Sequence, residues 1–319
     1  MLEQILSIFG SLDFYAAVVR MTTPLLLAAM GGLIAERAGI ITFSMEGMML
    51  LGTVGGVIGS GLSGNVWVGV LCAMAAGIFV AILYAVMAVS VGANQVVSAV
   101  ALNMGVLGLS SLLYVLAFAG GSEQIVENVI RVPSLPFWKI PLLGDIPILG
   151  PIFFNQYPLV YLAFILVPGV WYILYHTTWG LKIRAVGEHP HAADTVGISV
   201  TNVRYVSVII CGALSGLAGA FLSIGAFNAW QENMTSGRGF IAYTAIIFGR
   251  WEPVGVMLGT LLFGAADALQ LRMQTLAMAV PYQAMVAFPY VITLLALILL
   301  GSGASWPAAS GIAFKREEK

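Results

Sequence analysis

The chain has 319 residues, of which 60% are hydrophobic and 8% charged. A soluble domain of this length would carry about 80 charged side chains at the usual share of about 25%, whereas 13 Lys and Arg and 14 Asp and Glu are present. A hydrated globular surface is excluded, and so is nucleic-acid binding, because a net charge of −1 leaves no basic excess to neutralise phosphates. The composition predicts an all-α fold, a polytopic transmembrane helical bundle of 8–10 spans including broken or short helices.

The N-terminus lacks a basic stretch ahead of its first apolar run, so no cleavable signal peptide is expected. Spans are predicted near 14–34, 43–60, 66–90, 96–119, 158–176, 204–227, 254–271 and 284–301, with a shorter apolar piece at 239–249. Gly47 to Ser122 contains no Asp, Glu, Lys or Arg over 76 residues. One span needs about 20 residues, so this run must fold back on itself. Its joints are readable as Ser60-Gly61-Leu62-Ser63-Gly64-Asn65 and Gly92-Ala93-Asn94-Gln95, where Gly and Asn permit turns. Two loops are long: 120–157, with five prolines, and 177–203, with Lys182, Arg184, Glu188, His189, His191 and Asp194.

Small residues four apart recur as Gly52/Gly56, Gly55/Gly59, Gly212/Gly216 and Gly255/Gly259. This spacing places two small residues on one helix face and predicts tight helix crossing. Cys72 and Cys211 lie inside apolar stretches and are read as packing residues rather than metal ligands.

Orientation follows from the positive-inside bias. With 177–203 inside and 239–249 counted as a crossing, Arg37, Lys182, Arg184, Arg204, Arg250, Lys315, Arg316 and Lys319 are inside. Arg131, Lys139, Arg238 and Arg272 are then outside, and an odd span count with an external N-terminus follows.

No catalytic motif emerges. Each lysine follows Trp, Leu, Phe or Glu, so Gly-Lys-Ser/Thr is absent and no P-loop exists. The three histidines, at 176, 189 and 191, form no zinc or triad pattern. An enzyme is disfavoured. In the charged loop, Pro190 suits the first turn of a helix that runs to Val196 and is ended by Gly197. Such a compact charged helix between spans is a plausible docking knob for a soluble partner, though without further context an ordinary solvated loop is the favoured reading.

Three stretches supply that context. Gly180-x-x-x-Arg184-Ala185-x-Gly187-Glu188-x-x-x-Ala192-Ala193-x-x-x-Gly197-Ile198 resembles the coupling segment of ABC importer permeases in the branched-chain amino acid, ribose and nucleoside superfamily. Gly39 to Gly52 resembles their early motif, and Glu46-Gly47-Met48-Met49-Leu50-Leu51-Gly52 has the form of the nucleoside (basic membrane protein-linked) branch. Phe240 to Gly249, followed by Trp251-Glu252-Pro253-Val254-Gly255, resembles their late motif.

The resemblance implies a permease over residues 1–319, with 120–157 as an external loop and 177–203 as a cytoplasmic coupling loop. It further implies a bacterial plasma membrane location, a cytoplasmic ABC ATPase, a second permease subunit, often a different chain and otherwise a second copy, and an extracytoplasmic solute-binding lipoprotein. No cofactor is expected on this chain, with ATP and Mg on the ATPase. Gly180, Arg184, Ala185, Gly187, Glu188, Ala192, Ala193 and Gly197 are the coupling residues it implies. Segments 39–52 and 236–255 are also read as corresponding parts of an internal repeat, each with a Gly-rich turn beside a half-span, the arrangement in which transporters place substrate sites near mid-membrane.

Polar side chains within spans complete the expectations. Glu46 is the one acid deep in an apolar run, so either a functional role or a pairing with Arg37 or a helix N-terminus is expected. Asn94, Gln95, Ser98 and Asn103 place amides and a hydroxyl at the start of one span, suited to a nucleobase edge or sugar hydroxyls, or to interhelical bonding. Asn228 is a further pathway candidate, while Trp230 beside it reads as an interface anchor. The scarcity of intramembrane charge favours a neutral solute, most of all a nucleoside. A simple sugar or branched-chain amino acid is the alternative within the class, and a secondary transporter or channel is the alternative outside it.

Overall fold

The computed structural model describes residues 9–118, 132–141, 144, 146–147, 150–275, 283, 287, 291–292, 294–295 and 306–314. Seven helices in it are long and apolar enough to cross a membrane. They are α1 (Leu12–Arg37), α2 (Met45–Ser63), α3 (Val66–Ala85, continued by a π turn to Ser90), α4 (Gln95–Phe118), α5 (Pro158–His176), α8 (Val200–Ala220, continued by a π turn to Phe227) and α10 (Pro253–Thr275). Between them lie α6 (Thr178–Glu188), α7 (Pro190–Thr195) and the short apolar α9 (Arg238–Phe248). The expected span at 284–301 falls mostly outside the described residues.

Burial separates two groups of spans. Over the most apolar 18 residues of each, 78% of α1, α2 and α8 is buried, against 33% for α3, 22% for α4 and 39% for α5 and α10. The first three form the core, and the others present apolar faces outward, as spans in lipid do. Along α1, Leu25 to Met30 are wholly buried, so the first span is a central post rather than a peripheral anchor.

The predicted small-residue faces are where the core closes. A methyl group on Gly77 of α3 would lie 2.2 Å from the Gly212 carbonyl of α8, and one on Gly216 would lie 2.3 Å from the Ala73 carbonyl. Gly52 of α2 faces the Gly216 backbone from the other side. The helix backbones therefore touch, and dispersion gained at that distance replaces the hydrophobic drive that lipid removes. Both expected joints are turns: Gly64 has φ +67 and Asn65 accepts from Trp67 N, while Gly92 has φ +70 and Asn94 accepts from Val96 N and Val97 N.

The charged loop is more ordered than its composition suggested. It folds into α6, started by a Thr177 hydroxyl that accepts from Gly180 N at 3.1 Å, and α7, with Pro190 in its first turn. Gly197, with φ +84, closes α7 as expected. In the 120–157 loop, Trp138–Lys139 (β1) pairs antiparallel with Asn155–Gln156 (β2). Leu135 N donates to Ile224 O and Val132 N to Asn228 O, which fastens this loop to the end of α8 far from α6.

Candidate functional site

Two chain segments enter the bundle part-way before becoming helical. Ile41 N donates to Gln95 Oε1 at 2.8 Å, at the start of α4. Asn103, eight residues and about 12 Å further along the helix, accepts from Gly47 N at 2.9 Å and donates to Phe43 O at 2.9 Å. Residues 38–44 thus climb beside α4, and α2 begins well inside the bundle. The second segment descends from the opposite end as the irregular stretch 228–237, with positive φ at Asn228, Asn233 and Ser236, before α9 starts. α9 then runs about 16 Å toward the end marked by Arg37, whose Nε donates to Trp251 O at 2.9 Å.

Glu46 joins the two starts. One carboxylate oxygen accepts from the Thr235 hydroxyl at 2.6 Å and from Gly237 N at 2.9 Å, and the other accepts from Gly239 N at 2.7 Å. These are orphan donors at the N-terminus of α9, where an anion is favoured by the aligned peptide dipoles. A methyl group on Gly239 would lie 2.5 Å from the Glu46 backbone, so the two helix starts are in contact. Phe43 packs on Tyr243 at 4.3 Å and on Phe240 at 6.2 Å beside them. Of the two pairings expected for Glu46, the helix N-terminus is the one formed.

A cavity of about 290 Å³ opens over this junction, lined by Glu46, Leu50, Val100, Asn103, Met104, Leu107, Asn233, Gly237 and Phe240. It joins α2, α4, the 228–237 stretch and α9. Asn103 uses one amide hydrogen and one lone pair on the protein, which leaves one donor and one acceptor position. The Asn233 amide makes no hydrogen bond among the described residues, and Phe240 is 39% exposed. Apolar walls, two amides with spare capacity, a ring face and one already satisfied carboxylate suit an uncharged solute with hydrogen-bonding edges.

Of the six predicted pathway residues, Glu46 and Asn103 meet in this cavity. Asn94 caps the first turn of α4 and Gln95 holds Ile41, and neither lines the cavity. Ser98 is buried five residues before Asn103 on α4 and does not line the cavity. Asn228 lies beside the opposite loop, where its carbonyl accepts from Val132 N. Asn233, Gly237 and Phe240 were missed as lining residues; the late motif containing Phe240 was the available signal.

Two expectations need correction. Trp230 is not an interface anchor: it is 8% exposed, stacks on Tyr114 at 4.4 Å and donates to the Thr53 hydroxyl at 3.2 Å. Its irregular backbone turns it inward, which composition around it did not reveal. Arg238 is not at an outer end but at the inner start of α9, where Nη1 donates to Met234 O and Nε lies 3.7 Å from the Asp267 carboxylate. A charge at that depth is tolerated because it is paired and hydrogen-bonded.

The coupling motif divides by face. Gly180 and Gly187 are buried; a methyl group on the first would lie 2.1 Å from Ile173 O and on the second 2.0 Å from Arg37 O. Ala193 is also buried, and Ala185 and Arg184 are half-buried, with the Arg184 guanidinium 5.2 Å from the centre of the Tyr175 ring. Glu188, Ala192 and Gly197 face outward with Leu181, Lys182 and Val196. The glycines press α6 onto the bundle, and the outward residues form its presented surface.

Residues 14–300 match the model of the family described as the permease component of branched-chain amino acid transport systems. The chain is 38% identical to the guanosine ABC transporter permease protein NupQ of Bacillus subtilis over 91% of this chain and 92% of that protein. It is 34% identical to the nucleoside ABC transporter permease protein NupC of Lactococcus lactis, over 91% and 93%. It is also 40% identical to TsgC13 of Haloferax volcanii, provisionally described as a glucose ABC transporter permease protein, over 82% and 78%.

Proposed function

We propose that this chain, which belongs to the family of branched-chain amino acid transport system permease components, is the nucleoside-translocating subunit of an ATP-driven importer. The observation that carries the solute reading is the cavity at the Glu46 junction, with amides at Asn103 and Asn233 and the Phe240 ring on its wall. A nucleobase has a π face and neutral donor and acceptor edges, and a ribose has hydroxyls that accept from or donate to amides. Three protein donors hold the carboxylate of Glu46, which ties it to the start of α9. Relatives that act on guanosine and nucleosides support the same solute class.

In this reading α6 and α7 lie at the cytoplasmic face and present Leu181, Lys182, Glu188, Ala192 and Val196 to a cytoplasmic ABC ATPase, which binds ATP and Mg. The open faces of α3, α4, α5 and α10 accommodate lipid and a second permease of different sequence. An extracytoplasmic solute-binding lipoprotein delivers solute from the end carrying 120–157, in a bacterial plasma membrane. The test is uptake of labelled guanosine by the assembled transporter, challenged with unlabelled adenosine, glucose and leucine. Competition by adenosine alone is expected. Competition by glucose without adenosine moves the solute to the sugar class, and competition by leucine alone refutes the nucleoside reading.

A further inference from the structure

Residues 306–314 lie at the end of the molecule that carries α6 and α7, and they touch each element that meets there. Ala309 N donates to Gly187 O at 2.9 Å, and Gly311 N donates to Gly39 O at 3.2 Å. Trp306 packs on Trp251 in the turn after α9 at 5.2 Å, and Phe314 packs on His191 of α7 at 5.1 Å. Ala308 N also donates to the Glu188 carboxylate at 3.4 Å, so the segment bridges α6, α7, the α1–α2 connector and the α9–α10 turn with three hydrogen bonds from its backbone and two aromatic contacts.

Arg204, the fifth residue of α8, fixes it from beneath. Its side chain has no exposure; Nε donates to Ala38 O at 3.3 Å and Nη1 to Ile312 O at 2.9 Å, while the other terminal nitrogen has no partner among the described residues. A buried guanidinium without a carboxylate partner is expensive. The arrangement that offsets the cost joins three separate segments at one point: the end of α1, the start of α8 and residues 306–314.

The connector 38–44 held at this point is the segment that climbs to α2, where Phe43 and Gly47 are bound by Asn103 and Glu46 binds α9. Gly187 of α6 is packed directly on the Arg37 carbonyl at the connector's base. A push on α6 and α7 therefore has a continuous bonded route to the cavity floor, and residues 306–314 make it a closed frame rather than a single contact.

We propose that residues 306–314 are a transmission strap, with Arg204 as its positioning residue, that carries displacement of α6 and α7 to the α1–α2 connector during transport. The proposal rests on the reading of α6 and α7 as the ATPase-facing surface. It assigns to the strap a role in coupling, separate from holding the ATPase.

The experiment uses the full assembly, both permeases with the ATPase and solute-binding protein, in proteoliposomes, and reads ATP hydrolysed per nucleoside imported. A double variant, Trp306→Ala with Phe314→Ala, is expected to raise that ratio at least fivefold while the ATPase co-purifies at unchanged stoichiometry. Arg204→Met is expected to do the same, and Arg204→Lys to restore part of the coupling. An unchanged ratio overturns the proposal, and so does loss of ATPase co-purification, which would make the strap a mere assembly element. A second measurement covers variants that fail to fold: a disulfide between His191→Cys and Phe314→Cys, in a background lacking Cys72 and Cys211. Transport within twofold of the reduced state is expected, because strap and α7 move together; abolished transport on oxidation overturns the proposal. Absence of ATP-dependent uptake by the unsubstituted assembly would refute the importer reading itself, before any variant is compared.

Discussion

Replacing Glu46 by Gln removes the charge at the junction while keeping the side chain's volume. The carboxylate accepts three hydrogen bonds, from Thr235, Gly237 and Gly239. An amide offers one oxygen, so its NH2 must face at least one of those donors. Leaving a buried donor unsatisfied costs about 1–3 kcal/mol, and losing an anion at a helix N-terminus costs about 0.3–2 kcal/mol. The sum, about 1.3–5 kcal/mol, is local to the start of α9. Hydrogen exchange read by mass spectrometry should therefore show faster exchange across residues 235–241 in the variant, by roughly tenfold or more at about 1.4 kcal/mol per factor of ten. Residues 25–34 of the central post should exchange as before. Unchanged exchange across 235–241 would refute the claim that Glu46 holds the broken helix.

Other expectations follow from the same contacts. Gly187→Ala puts a methyl 2.0 Å from Arg37 O, so overpacking of about 1–3 kcal/mol should lift α6 and reduce the ATPase recovered by co-purification. Asn103→Leu removes the bonds to Gly47 N and Phe43 O and should lower the maximal uptake rate, whereas Phe240→Ala should raise the half-saturating solute concentration several-fold with ATPase co-purification intact. Trp230→Phe keeps a ring against Tyr114 but loses the Thr53 bond, a cost of about 0.5–1.5 kcal/mol. Trp230→Ala should cost about 3–5 kcal/mol, measured as a larger drop in thermal midpoint.

The spans were legible because a 20-residue apolar requirement leaves a strong trace, and the joints at Gly64–Asn65 and Gly92–Asn94 use residues whose turn chemistry is local. Glu46 and Asn103 were legible as exceptions, polar groups in apolar runs. Their partners were not: Gly239 is 193 residues from Glu46, and the contact depends on a left-handed turn at Gly237. Helix α6 was obscured because its surface charges resemble those of a loop, while the glycines that seat it reveal their purpose only beside Ile173 and Arg37. Trp230 and Arg238 were misplaced for one reason. Trp230 lies in the irregular stretch before the half-length helix α9 and Arg238 is its first residue, so their depth depends on where the chain breaks rather than on distance along a regular span.

The most direct test of the account is nucleoside accumulation in proteoliposomes holding the complete assembly, compared with the same assembly carrying an ATPase that binds but does not hydrolyse ATP. Accumulation above the external concentration is predicted only with hydrolysis, and not with this chain alone. Concentrative uptake that persists with the inactive ATPase, driven by a proton or sodium gradient, would contradict it.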